Sequence, residues 1–137
     1  MKKNQGFTLI ELMVSISIIA ILTALATISF SSAQKKARDS RRAQDMKIMQ
    51  LAAEQYAAQG GGVYPGTTAV PWTMNGQNIL EAIPQDPKTG SFYTMTIGIT
   101  NYCICATMEN SQAGNASSTT CTFTGGTGAY FCAKNQQ

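Results

Sequence analysis

The sequence contains no histidine. Histidine is the commonest general base and the commonest zinc ligand, so both chemistries start without their usual residue. Charge is scarce as well. The 83 residues after Glu54 carry five charged side chains: Glu81, Asp86, Lys88, Glu109 and Lys134. They offer no paired carboxylates for acid–base work, and no Gly-rich phosphate loop is present. A Cys-x-x-Cys knuckle is also missing, because Cys103-Ile104-Cys105 has a single spacer; this argues against a zinc site. No catalytic residue, metal or cofactor is therefore expected, and an enzyme is the least favoured class. The formal net charge is +3, of which Lys2 and Lys3 supply two, leaving 3 − 2 = +1. That balance makes no general case for nucleic-acid binding.

Leu12–Phe30 has no charge, proline or glycine over 19 residues. As a helix it would run about 28 Å at about 1.5 Å per residue, matching a hydrocarbon core about 30 Å thick. Met1–Gly6 before it is short, basic and ends in glycine. An ordinary secretory signal would be cut after the apolar run. Ser31-Ser32-Ala33 could serve, but Glu11 at the start of the apolar region would stay unexplained.

The chain has three charge regimes. Residues 7–33 hold only Glu11, and residues 34–54 hold nine charges. From Ser31 to Gln59 there is no Gly or Pro, and good helix formers dominate. Ile48, Leu51, Ala52 and Tyr56 recur at helical spacing and predict the apolar stripe. Lys35–Asp39 and Arg41–Asp45 are i,i+4 pairs. Gly60-Gly61-Gly62 ends the helix. One helix over 7–59 is expected, with about 12–30 in the membrane, after a leader over 1–6 and before a globular head over 60–137.

Within the head, residues 63–91 read as loop with a short helix over Gly76–Ile83. Phe92–Thr100 and Tyr102–Met108 alternate as strands. Glu109–Thr120 reads as a polar loop. Cys121–Thr124 and Ala129–Ala133 flank Gly125-Gly126-Thr127-Gly128 as a hairpin. The expected fold is α+β, with a small antiparallel sheet packed on the helix stripe. So small a core usually needs a staple. Cys103, Cys105, Cys121 and Cys132 read as two disulfides formed in an oxidising compartment. Cys103 and Cys105, two apart on a strand, share a face and are poorly placed to bond each other. The open pairings are 103–121 with 105–132, which is preferred, and 103–132 with 105–121. Trp72 is expected as a partly buried cap. Asn115-Ala116-Ser117 fits a glycosylation pattern that is frequent by chance.

Lys2-Lys3-Asn4-Gln5-Gly6, then Phe7-Thr8-Leu9-Ile10-Glu11-Leu12, resembles the processing signature of type IV prepilins and pseudopilins. The resemblance implies cleavage after Gly6 by a prepilin peptidase and methylation of the new Phe7 amine. Asp86-Pro87-Lys88-Thr89-Gly90 with Tyr93 resembles a head motif of major pseudopilins, in which Asp86 could contribute to a calcium site. The family implies a precursor in the inner membrane with its head outside, then a helical homo-oligomeric filament, either an extracellular pilus or a periplasmic filament. Its partners would be the peptidase, an assembly ATPase and a platform protein. Adhesion, motility and DNA uptake are the implied uses of a pilus, and protein secretion that of a pseudopilin. A single-pass membrane-anchored binding domain that never polymerises is the alternative from another class.

Glu11 carries two readings. A carboxylate in a membrane-facing run is costly unless paired, and a neighbouring subunit's Phe7 amine would pair it. Thr8-x-x-Glu11 also fits a capping box. Orientation shows a conflict, because Lys35, Lys36, Arg38, Arg41, Arg42 and Lys47 outnumber Lys2 and Lys3 and would favour the head inside. The paired cysteines favour the head outside. That basic run could meet acidic groups of neighbours, lipid headgroups or, as a less favoured reading, DNA phosphates.

Overall fold

The computed structural model describes residues 6–136, so Met1–Gln5 of the expected leader lie outside the described residues. The chain forms two compact units, residues 1–34 and 35–137.

Helix α1 (Leu9–Gln59) begins in the first unit. All described residues of that unit are exposed; Phe7 is 87% and Ile28 73% accessible. The helix is long and apolar enough to cross a membrane. Four of its hydroxyls are satisfied within it. Ser15, Ser17 and Thr23 donate to the carbonyls of Glu11, Met13 and Ile19, and Thr27 to that of Ala24. Such back-bonding removes most of the cost of a hydroxyl in an apolar solvent.

In the second unit, α1 ends where the glycines said it should. Gly60 N–H donates to Tyr56 O at 2.9 Å and Gly62 N–H to Ala57 O at 2.8 Å, with Gly61 at φ +70°. Only a residue without Cβ takes that turn cheaply. Strands β1 (Trp72–Met74) and β2 (Gln77–Leu80) form a hairpin. A five-stranded antiparallel sheet holds β3 (Thr94–Ile97), β4 (Tyr102–Thr107), β5 (Gly114–Ala116), β6 (Phe123–Gly128) and β7 (Tyr130–Lys134), in the order β3-β4-β7-β5-β6.

The alternation of β4 assigns its two faces. Tyr102, Ile104 and Ala106 join the core against Met46, Met49, Ala52, Ala53 and Ala57 of the helix, together with Trp72 and Leu80. Cys105 faces the other way, with Ala116 and Cys132.

Four expectations are corrected. The helix expected over Gly76–Ile83 is the second half of the β1–β2 hairpin. Asn75 and Gly76 have φ of 52° and 77°, the paired positive values of a tight Asn-Gly hairpin turn. The polar loop 109–120 contains β5, which inserts between β6 and β7, so those strands are not the expected hairpin. A Cβ at Gly114 would collide with the carbonyl oxygens of Tyr130 and Gly128, which is why a glycine sits there. The helix stripe is displaced in part: Ala52 is buried and Tyr56 packs against the core as expected. Ile48 and Leu51 are 43% and 70% exposed, while the buried face runs through Asp39, Arg42, Met46, Met49 and Ala53. Small alanines let the sheet approach closely, and this leaves the branched side chains outside. Trp72, expected as a partial cap, is only 2% exposed and lies inside the core.

Candidate functional site

The expected processing segment lies at the start of α1. Gly6, Phe7 and Thr8 precede the helix. Thr8 N–H and Thr8 Oγ1–H donate to Glu11 Oε2 at 2.9 and 2.8 Å, and Glu11 N–H approaches Thr8 Oγ1 at 3.3 Å. This reciprocal arrangement is a capping box, which satisfies helix N–H groups that otherwise lack partners. One carboxylate oxygen of Glu11 is thereby engaged. The other makes no hydrogen bond among the described residues and points from a helix whose surroundings are entirely exposed.

A second constellation lies in the head and was missed in the sequence. The Arg42 side chain is 4% exposed and stands among three carboxylates. Its Nε and Nη2 donate to Asp86 Oδ2 and Oδ1 at 2.6 and 3.1 Å, and its Nη1 to Asp39 at 2.7 Å and Glu109 at 3.2 Å. Arg38 makes a two-pronged contact with Glu109 at 2.5 and 2.9 Å. Planar guanidinium forks suit such bidentate pairing. Asp39 also accepts the backbone N–H groups of Glu109 and Asn110 at 2.8 and 2.9 Å. Asp86 Oδ1 accepts those of Lys88 and Thr89, so it closes the Asp86–Gly90 turn on itself. The cluster ties two loops to the helix. Arginine hydrogen bonds drive the Asp86 carboxyl well below its usual range and that of Glu109 to about 2. The helical spacing of Arg42 with Met46, Met49 and Ala53 was the signal available. An arginine on an apolar face predicts a buried partner.

These contacts settle several expectations. Asp86 spends both oxygens on Arg42 and the turn N–H groups, so its residues do not fit a calcium ion, which wants six to eight oxygen ligands. Asp39 pairs with Arg42 rather than with Lys35. Arg41–Asp45 is present at 3.5 Å. Of the six cations in the basic run, Arg38 and Arg42 are thus engaged with the head loops, and the exposed Arg41 with Asp45 along the helix.

The disulfides are Cys103–Cys121 and Cys105–Cys132, with Cα separations of 5.8 and 4.1 Å. The second joins directly opposed residues of β4 and β7. Asn115 is fully engaged: its Oδ1 accepts Cys132 N–H at 2.7 Å and its Nδ2 donates to Cys132 O at 3.0 Å. The amide stands in for a strand partner along β7, so the Asn115-Ala116-Ser117 pattern is structural.

An exposed apolar N-terminal helix preceded by a capped Thr8–Glu11 turn, with a small disulfide-bonded sheet domain, gives a pilin-like α+β fold whose first helix is long and apolar enough to cross a membrane. The comparisons carry this further. A family described as "Prokaryotic N-terminal methylation motif" matches residues 1–27. The chain is 33% identical over 101 residues to "Fimbrial protein EcpB" of Eikenella corrodens, covering 72% of this chain and 63% of that protein. It is 32% identical over 89 residues to a "Probable minor fimbrial protein" of Dichelobacter nodosus, covering 64% and 56%. The matched stretch is thus less than two thirds of the length of these curated relatives. No solved structure matches. The N-terminal methylation motif and the fimbrial relatives support a type IV pilin-type structural subunit.

Proposed function

We propose that the chain is a prepilin, cut after Gly6 and methylated on the Phe7 amine, which polymerises through its N-terminal helix into an extracellular type IV pilus. In this reading residues 1–6 are the leader, 7–59 the helix and 60–137 the head, and residues 12–30 lie in the inner membrane before assembly. A prepilin peptidase, an assembly ATPase and a platform protein are its partners. Glu11 pairs with the Phe7 amine of a neighbouring copy and selects register. Each charge alone is costly in an apolar filament core, and the pair costs much less. The disulfides of the head support a location on the oxidising side of the membrane. Adhesion, motility or DNA uptake would be the use of the filament.

The observation that carries the proposal is the first unit of the structure: its apolar side chains are exposed throughout, and lipid or copies of the same helix are what would cover them. The fimbrial relatives support the pilus over a secretion pseudopilin.

The test is the intact mass of the membrane-extracted protein, followed by filament yield. Loss of Met1–Gly6 with the gain of one methyl group is expected. Glu11→Ala should leave cleavage intact and abolish filaments. An uncut N-terminus in a host with an active peptidase would instead favour a membrane-anchored domain that does not polymerise.

A further inference from the structure

Between α1 and the end of β7 lies an open groove of about 480 Å³, lined by Lys47, Gln50, Asn115, Phe123, Phe131 and Lys134 among others. Its amides are already spent. Gln50 donates to Lys134 O, and Asn115 bonds the Cys132 backbone. Its ammonium groups are not. No carboxylate lies within ion-pair distance of Lys47 or Lys134 among the described residues, and Lys134 Nζ sits 5.2 Å from the centroid of the Phe123 ring. Phe123 is itself 40% exposed. The groove is thus cationic at two points and apolar between them, which fits a carboxylate carried on a short apolar segment.

The same head presents an exposed carboxylate on a short segment elsewhere. Leu80 and Ile83 are buried at 8% and 9% exposure, and Glu81-Ala82 between them is exposed. Two buried anchors hold this protrusion out from the surface. Glu81 makes no hydrogen bond or ion pair among the described residues, whereas every other carboxylate of the head is engaged. A cationic groove and a free carboxylate at different places on one surface are what a heterologous, repeating contact needs.

We infer that the groove receives the Glu81-Ala82 protrusion of a second copy of this chain. This rests on the filament reading above. Heads whose helices are already held together meet at high effective concentration, so a contact too weak to form between free molecules forms there. The contact is distinct from helix packing and from the Glu11 pair.

The experiment uses the full chain, expressed with its assembly machinery, and measures sheared filament. Glu81→Lys, and the pair Lys47→Glu with Lys134→Glu, should each lower filament yield by about fivefold, the scale of one exposed ion pair. The triple variant, with charges exchanged, should recover most of that loss. p-Benzoylphenylalanine in place of Phe123 should crosslink to the Glu81 segment of a neighbour. Unchanged filaments in both reversal variants would overturn the contact and leave the filament reading standing. So would heparin binding by the purified protein that the lysine reversals abolish without affecting filaments; the groove would then serve an external polyanion. Wild-type chain that stays monomeric in the membrane would overturn both readings together.

Discussion

Arg42→Met tests whether the charged cluster is the framework of the head or an ornament on it. The substitution keeps an unbranched stem on the helix and removes only the guanidinium. Asp39, Asp86 and Glu109 then lose the cation they share, at contacts of 2.6 to 3.2 Å. Breaking a buried ion pair by removing one partner costs about 3–5 kcal/mol, because the other charge stays buried. Here the lower end applies. Asp39 keeps two backbone donors, Asp86 keeps two, and Glu109 keeps Arg38. A loss of about 3 kcal/mol corresponds to a drop in Tm of about 12–24 °C for a domain of this size. The single tryptophan is the natural probe, since Trp72 is buried in the head core. Thermal unfolding of the full chain in detergent, followed by Trp72 fluorescence, reads the head directly. Arg41→Ala is the internal control: its side chain is 69% exposed and touches Asp45 at 3.5 Å. It should cost less than about 1 kcal/mol. If Arg42→Met lowers Tm no more than Arg41→Ala does, the cluster contributes as a surface pair would and the reasoning fails.

Two further predictions use the same assay. Asp86 and Glu109 have folded-state values held below their unfolded ones by arginine hydrogen bonds. Their contribution is therefore complete above about pH 5 and is lost progressively as pH falls toward about 2, and a Tm that stays flat from pH 5 to pH 2 would contradict this. Leu51→Ser, on the exposed helix face, should change head stability by less than about 0.5 kcal/mol yet reduce filament yield, whereas Met49→Ala should cost about 2–5 kcal/mol; equal effects on the head would refute the assignment of the two faces.

The N-terminal methylation motif, matched over residues 1–27, was legible because its information is local. Gly6, Phe7 and Glu11 stand at fixed offsets before an uninterrupted apolar run, and no distant contact is needed to recognise them. The β3–β4 pair was legible from alternation, and the shared face of Cys103 and Cys105 followed from it. What escaped was non-local or polar. β5 is three residues long and exists only because Gly114 and Ala116 meet β6 and β7, so no periodicity marks it. The Asn75-Gly76 turn carried a strong hairpin signal, but its flanks were read as loop and helix. The buried helix face was displaced because it includes Asp39, Arg42 and Asp45. A search for apolar residues at helical spacing passes over such a face and settles on Ile48 and Leu51 beside it.

The basic run shows how far composition can mislead about a surface. Arg38 and Arg42 pair with carboxylates of the head loops and Arg41 with Asp45 one turn along the helix, while Lys35, Lys36 and Lys47 are exposed and make no ion pair among the described residues. The division follows side-chain chemistry. A guanidinium offers several donors in one plane and is weakly hydrated, so it can enter a cluster of carboxylates; an ammonium is strongly hydrated and stays in water. Six cations in thirteen residues therefore do not form one patch. Two of them, Arg38 and Arg42, are framework, positioning the Asp86–Gly90 turn and the Glu109 loop. Any partner that reads this stretch by charge, whether lipid, nucleic acid or another copy, meets the three lysines and Arg41 before the engaged Arg38 and Arg42.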